Sequence, residues 1–106
     1  MSKPPRLRTL IRKLTRQDEK LARDKVKLAL LEPGGAWDRP IEVGSASLVE
    51  PRARAMPCPR CESEIRVDEH TAEEIGGARL RVAHVRCSAC GLERRVYFRI
   101  GTVLPS

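Results

Sequence analysis

Aromatic residues are scarce in this chain of 106 residues, which contains one Trp, one Tyr and one Phe. Aromatic side chains bury the most apolar surface per residue, and a chain this short forms at most one small domain plus extensions. Domains of this size bury too little surface to be stable without further support. We therefore expect a disulfide or a metal ion to stabilise the fold.

Long apolar runs and catalytic signatures are also absent. No apolar run approaches the roughly 20 residues that span a bilayer, and residues 1–6 contain no apolar signal segment. From these absences we expect a cytoplasmic protein in a reducing compartment. No serine, histidine and carboxylate set has the spacing of a nucleophile with its base, and no glycine-rich loop suits a phosphate. The sequence therefore predicts a protein that is not an enzyme.

All four cysteines occur in two Cys-x-x-Cys pairs, Cys58 with Cys61 and Cys87 with Cys90. Each pair can present two thiolates from one tight turn, and the two pairs can provide the four ligands of a closed tetrahedral zinc site. Because such a site has no open position for water or substrate, we expect one structural Zn²⁺. A disulfide within either pair would constrain the unfolded chain little. A long-range disulfide such as Cys58–Cys87 is geometrically possible but leaves the doubled spacing unexplained.

Charge and turn residues divide the chain into three regions. We expect a basic amphipathic helix in residues 1–31, a Pro/Gly-rich linker with short extended pieces in residues 32–55, and a metal-binding domain in residues 56–106. The formal net charge of +7 lies entirely in the first region, which holds ten Lys or Arg residues against three acidic ones. In the linker, residues 41–43 and 48–50 are the candidate strands.

A leucine stripe runs through the first region. Leu7, Leu14, Leu21 and Leu28 recur every seven residues, which predicts one helix over residues 6–31. Because an isolated helix of this length is marginal in water, the stripe should pack on the metal-binding domain, a second copy, a lipid surface or another protein. The opposite side of the helix has six cations at helical spacing: Arg12, Lys13, Arg16, Lys20, Arg23 and Lys27.

These six cations are the candidate contacts to nucleic-acid phosphates. A basic amphipathic helix can also lie on an anionic membrane or act as an organelle presequence. However, Asp18 interrupts the apolar side and no bulky aromatic residue anchors it, so we expect no membrane partner. The remaining alternative is a helix whose leucines pack and whose cations are only solvated.

Three strand-like segments surround the cysteine pairs, at residues 65–67, 80–86 and 92–100. Alternation places one set of apolar residues on a common side: Ile65, Val67, Leu80, Val82, Leu92, Val96, Phe98 and Ile100. The other side is then formed by Arg66, Arg81, Arg95, Tyr97 and Arg99. There the guanidinium groups could contact phosphates and Tyr97 could stack on a base. The alternative is a solvated face whose charges discourage edge-to-edge association.

The Cys-x₂-Cys-x₂₅-Cys-x₂-Cys pattern with its hairpin and following strand resembles a zinc ribbon over about residues 56–100. The resemblance implies a three-stranded antiparallel sheet held by one structural zinc ion. Together with the N-terminal helix, this makes the expected fold class a small metal-stapled α+β domain. In the similar transcript-cleavage factors, an Asp-Glu pair at the hairpin tip helps to hold a catalytic metal. Here Glu73 and Glu74 lie near that position without that family's surrounding sequence, and we expect a solvated acidic loop.

Zinc ribbons occur in transcription factors, polymerase subunits, ribosomal proteins and primases, and as structural appendages, so the resemblance leaves two functions open. The first is a non-enzymatic accessory or regulatory factor of transcription or translation that binds DNA or RNA through the basic helix. The second is an adaptor that docks on a larger protein complex through the leucine stripe or residues 36–50. Salt dependence separates the two, because phosphate contacts weaken steeply with salt and apolar docking does not.

Overall fold

The computed structural model describes residues 7–101, except for the side chains of residues 9–11, 13 and 14. The elements in chain order are α1 (Leu7–Leu31), β1 (Ile41–Val43), a 3-10 helix (Ala46–Leu48), α2 (Val49–Arg54), β2 (Ile65–Ile75), β3 (Ala78–Cys87) and β4 (Glu93–Ile100). The four strands form one sheet in the order β1-β4-β3-β2. None of the helices in this range combines the length and the apolar character that a membrane crossing requires.

The sheet is mixed and has four strands instead of the expected three. β2, β3 and β4 form the antiparallel part, and β1 adds to β4 as a parallel strand with Ile41 opposite Phe98. The chain reaches this edge along the segment before β1, where the N–H of Tyr97 donates to the carbonyl of Gly34 at 2.9 Å. Residues 41–43 therefore form the short strand that their alternation predicted, and they cover an edge that would otherwise be unpaired.

The β2–β3 hairpin is longer than expected. β2 continues to Ile75, which pairs with Ala78 across a two-residue turn made by Gly76 and Gly77. Both glycines have positive φ, at 60° and 81°. Two consecutive residues of this kind form the turn whose twist matches an antiparallel pair. Residues 73 and 74 thus lie in β2, so the prediction of an acidic loop at this position is wrong.

β3 is buried on both faces, which changes the predicted division of the sheet. Ala83 pairs with Val96 and both are buried on one face, whereas Leu80 and Val82 are buried on the other. The sequence prediction that Leu80 and Val82 share a face with Val96 is therefore wrong. A central strand covered on both sides has apolar residues at even and odd positions, so alternation does not specify its register.

The main hydrophobic core lies between one face of the sheet and α2. Val49 and Ala53 of α2 are fully buried, as is Phe98 of β4. The prediction of a strand at residues 48–50 is wrong, because this stretch ends the 3-10 helix and begins α2. Pro51 is compatible with this arrangement since it falls in the first turn of α2, where its missing N–H has no helical partner.

The described leucines of the stripe do not pack on the domain that follows α1, and the side chain of Leu14 lies outside the described residues. Leu21 and Leu28 are each 59% exposed, and Leu7 and Leu31 are also exposed. Ala22 and Val26, which point to another side of the helix, are among its half-buried residues. At 100° per residue, Leu21 and Leu28 lie about 140° and 160° around the helix from Val26. The domain is therefore not the partner of these leucines.

The C-terminal half of α1 instead contacts the region of the cysteine turns. Val26 and Leu92 line a common crevice with Arg60, which lies between the cysteines of the first turn. The guanidinium of Arg39 donates to the carbonyl of Leu30 at 3.0 Å and so occupies one of the free carbonyl groups at the helix end. These contacts join the C-terminal end of α1 to the domain.

Candidate metal centre and basic surface

The two cysteine pairs lie on turns with the same backbone hydrogen bonds. In the first turn the N–H of Glu62 donates to the carbonyl of Cys58 at 2.8 Å, and in the second the N–H of Gly91 donates to the carbonyl of Cys87 at 3.1 Å. The N–H of each first cysteine also donates to the carbonyl five residues later, at 3.0 Å in the first turn and 2.9 Å in the second. The two turns are therefore equivalent supports for a pair of sulfur ligands.

The turns meet so that all four sulfur atoms lie within 4.8 Å of one another. The Sγ atoms of Cys61 and Cys87 are 3.3 Å apart, and those of Cys58 and Cys90 are 3.7 Å apart. A metal ion bound tetrahedrally to sulfur at about 2.3 Å sets its ligands about 3.8 Å apart. The four thiols are free and not joined as disulfides. The cysteines are therefore positioned to hold a metal ion, which confirms this part of the sequence prediction.

Hydrogen bonds favour the thiolate form of two ligands. The side chain and the backbone of Ser63 lower the pKa of Cys61 from 9.0 to about 6, with a smaller contribution from Cys87. The pKa of Cys87 is also lowered, first by the N–H of Cys90 and then by that of Ala89, each of which lies 3.4 Å from its sulfur. Because metal ions bind thiolates and not thiols, these donors prepare the site for a metal.

The other two ligands lie in a less favourable environment for charge. The N–H of Leu92 lowers the pKa of Cys90, but burial and the neighbouring thiols outweigh this effect and raise the pKa to about 11. Cys58 is buried, with 1% of its surface exposed. A cation would reverse the repulsion between the crowded thiolates, and this repulsion is one physical reason why the cluster suits a metal.

Five cations of the basic helix lie together along one side of α1. Their side chains are exposed, and their positions fall within about 80° of the helix circumference. They are Arg12, Arg16, Lys20, Arg23 and Lys27. None of the five forms an ion pair with another residue that the structure describes. Lys13, the sixth predicted member, has a side chain outside the described residues.

The predicted basic face of the sheet is smaller than the sequence suggested. Arg81 pairs with Phe98, so it lies on the opposite face from Tyr97, and its predicted place in this group is wrong. Arg99 forms an ion pair with Glu42. Arg66 and Arg95 keep their predicted face and are exposed.

Acidic residues also balance the charge of that face. The pairing register places four of them on the same face as the arginines: Glu42, Glu69, Glu73 and Glu93. Arg86, on the same face, is bound by Asp68 at 3.3 Å and by Glu93 at 2.8 Å. The basic helix is therefore the stronger candidate for an anionic partner, because its five described cations outnumber the two acidic residues, Asp18 and Glu19, that line a crevice with Arg23 and Lys27.

Two residues near the metal centre were not found by sequence reasoning. Ser63 donates to Cys61, and its place two residues after the second cysteine of the turn was the available signal. Arg94 lies on the face of the sheet that bears Cys87, opposite Val85, and its side chain is half-buried. Its face depends on the β3–β4 register, which alternation did not predict.

One side-chain cluster on the sheet has residue types that are common in catalysis. The hydroxyl of Thr71 donates to the carboxylate of Glu73 at 3.0 Å and lies 3.5 Å from Nε2 of His84. In a nucleophile site the carboxylate would orient the histidine, which would accept the hydroxyl proton. Here the carboxylate binds the hydroxyl instead, so the arrangement does not activate Thr71.

Comparisons of this chain with protein-family models, with curated proteins and with solved structures find no match. The four-cysteine cluster and the charge distribution of the described residues are therefore the features that bear on function.

Proposed function

We propose that this protein is a small, non-enzymatic accessory factor that binds DNA or RNA through the basic face of α1 and is held together by one structural zinc ion. The observation on which the nucleic-acid role rests is the set of five exposed cations within one arc of a helix, none of which pairs with an acidic residue in the described part of the chain. The zinc ribbon resemblance supports a role in transcription or translation, and the free thiols suit the reducing environment of the cytoplasm.

Zinc is the proposed metal because of the ligand set. Four cysteine thiolates in tetrahedral arrangement are typical of structural zinc sites, whereas carboxylate and carbonyl oxygens are typical of calcium and magnesium. With all four positions taken by protein ligands, the metal has a structural role and no substrate position. The finer description of the fold as a zinc ribbon with an added strand is part of this proposal.

The metal-supported domain holds the C-terminal end of the basic helix. α1 contacts the region of the cysteine turns through Val26. Its last turn is hydrogen-bonded to Arg39, which lies in the segment between α1 and β1. A helix fixed at one end presents its cations in a constant arrangement, so less conformational entropy is lost when phosphates bind. Each phosphate neutralised on B-DNA contributes about −0.9 to the slope of log affinity against log salt, which gives about −4.5 for the five described cations.

The test is a fluorescence-anisotropy titration of the zinc-loaded protein with mixed-sequence DNA and RNA at about 50 and 200 mM salt. The variant has Arg16, Lys20, Arg23 and Lys27 changed together to Gln, which retains helix propensity. We expect binding that weakens by two to three orders of magnitude between the two salt concentrations and a slope that falls to about −1 in the variant.

Arg52→Gln with Arg54→Gln is the matched control, because these arginines are exposed on α2 and lie outside the proposed surface. The control should bind as the original protein does. Absence of binding at low salt, or equal binding by the α1 variant and the original protein, would contradict the nucleic-acid role.

A second candidate function is that of a protein-interaction adaptor. It is favoured by the exposure of Leu21 and Leu28, which face away from the domain. The other predicted docking segment, residues 36–50, contributes β1 to the sheet and places Val43 and Val49 in the core, while Trp37 and Leu48 remain exposed. Docking through leucines would be nearly insensitive to salt, so the same salt series distinguishes the adaptor from the nucleic-acid factor.

A further inference from the structure

Arg94 has a half-buried side chain whose guanidinium is partly shielded from solvent. Its Nε and Nη2 atoms are inaccessible to solvent and donate to no acceptor among the residues that the structure describes. Arginine nitrogens are rarely shielded unless another group pairs with them, because the loss of hydration is large. The position of Arg94 therefore favours a negative charge nearby.

The neighbouring negative groups identify where that charge comes from. Burial lowers the pKa of Arg94, while the nearby Cys58 and, to a smaller extent, Glu32 act in the opposite direction. Cys58 is itself buried. Arg94 also lies opposite Val85, two residues before Cys87, so its strand position faces the cluster. Glu32, by contrast, is exposed at the end of α1.

A loaded centre would provide a persistent negative charge at this place. One divalent ion with four thiolates has a net charge of −2, and burying such a charge is costly without nearby cations. Cationic donors next to thiolate ligands stabilise them and hold their orientation. We propose that Arg94 is a positioning residue of the metal centre, whose guanidinium faces the Cys58 thiolate and offsets part of the charge of the loaded site.

Other cations near the turns do not fit this role. Arg60 lies between the cysteines of the first turn but is exposed, and Lys25 pairs with Glu62 at 3.9 Å. Arg95 follows Arg94 directly but pairs with His84 on the other face of the sheet. Arg94 thus combines burial with a position on the cysteine side of the sheet. The inference rests on the proposed metal centre and is independent of nucleic-acid binding.

The experiment measures zinc affinity by competition with a chromophoric chelator for the full chain and for Arg94→Gln, Arg94→Lys and Arg95→Gln. We expect Arg94→Gln to bind zinc about 10- to 100-fold more weakly, as is typical when a partner of a metal ligand is removed. Arg94→Lys should retain most of the affinity because it keeps the charge. Arg95→Gln is the matched control and should remain within about twofold of the original protein.

Cobalt substitution separates this role from a general loss of structure. Tetrahedral d–d absorption bands at the same position in Arg94→Gln and in the original protein would show that the four ligands are retained, so that the lost affinity arises outside them. Equal affinity of Arg94→Gln and Arg95→Gln would overturn the inference. A lysine variant as weak as the glutamine variant would overturn the role of charge. Failure of the unsubstituted chain to bind zinc or cobalt would instead overturn the proposed centre itself.

Discussion

Glu62 and Gly91 occupy equivalent positions in the two cysteine turns, and both have positive φ, at 64° and 77° respectively. Each follows the second cysteine of its pair and donates its backbone N–H to the carbonyl of the first. Glycine adopts this conformation without strain, whereas a residue with a Cβ atom is destabilised by roughly 1–2 kcal/mol. The first turn therefore stores strain that the second does not.

Glycine in place of Glu62 should accordingly relieve this strain. We expect Glu62→Gly to be more stable than Glu62→Ala by about 1 kcal/mol in denaturant unfolding at a fixed zinc concentration. The alanine variant is the proper reference, because both variants lose the exposed ion pair to Lys25. In the second turn, Gly91→Ala should be destabilising by a similar amount because of the positive φ. A Cβ there meets nothing within 4 Å, so no steric clash adds to this strain. Equal stability of the two Glu62 variants would contradict the strain.

The cysteines should differ in reactivity in metal-free protein under conditions in which circular dichroism shows that the fold is retained, because the hydrogen bonds that set their pKa values exist only in the folded chain. Cys61 is exposed and its lowered pKa, about 6, keeps its thiolate populated as the pH falls towards 6. We expect iodoacetamide to modify Cys61 first, with a rate that rises through about pH 6 and then levels off. The pKa of Cys90 is raised to about 11, so its rate should still increase at pH 9. Peptide mass spectrometry gives the order.

Zinc should protect all four thiols from the same reagent. The contrast between loaded and metal-free protein is the control, because it uses the same chain and the same pH. A metal-free protein in which Cys90 reacts before Cys61 would contradict the hydrogen-bond assignment at Ser63.

The hairpin turn contacts Trp37, so a substitution in the turn should change the fluorescence of this residue. A Cβ added at Gly76 would lie 2.4 Å from Cζ3 of Trp37, whereas one added at Gly77 would meet nothing within 4 Å. Both positions have positive φ, so alanine at either costs about 1 kcal/mol of backbone strain. Gly76→Ala should in addition displace the indole, and because Trp37 is the only tryptophan, its fluorescence emission will shift. An identical emission spectrum for both variants would exclude the contact.

The exposed leucines of α1 should contribute little to stability. We expect Leu21→Gln with Leu28→Gln to change the free energy of unfolding by no more than about 0.5 kcal/mol, because both side chains are already exposed. Val26→Gln should be destabilising by about 1 kcal/mol or more although Gln has the higher helix propensity, since Val26 lies against the domain. A large loss in the double leucine variant would show that the stripe packs within the molecule.

Sequence reasoning succeeded where a local pattern has one physical solution. The doubled Cys-x-x-Cys spacing predicted the four ligands because each turn brings two sulfur atoms together without reference to the rest of the fold. The heptad leucines predicted α1, and alternation predicted β1 at Ile41–Val43, for the same reason. These features depend on residues close together in the chain.

Sequence reasoning failed where the structure depends on contacts between residues that are far apart in the chain. The register of β3 against β4 decides that Arg81 lies beside Phe98 and that Arg94 lies towards the cysteines, and apolar residues on both faces of β3 allowed either register. Residues 48–50 became helical because α2 covers the sheet there. By itself the sequence determined the cysteine ligands, the basic helix and the position of its charges. Only the tertiary structure decided what each face contacts, because burial depends on partners that local periodicity does not specify.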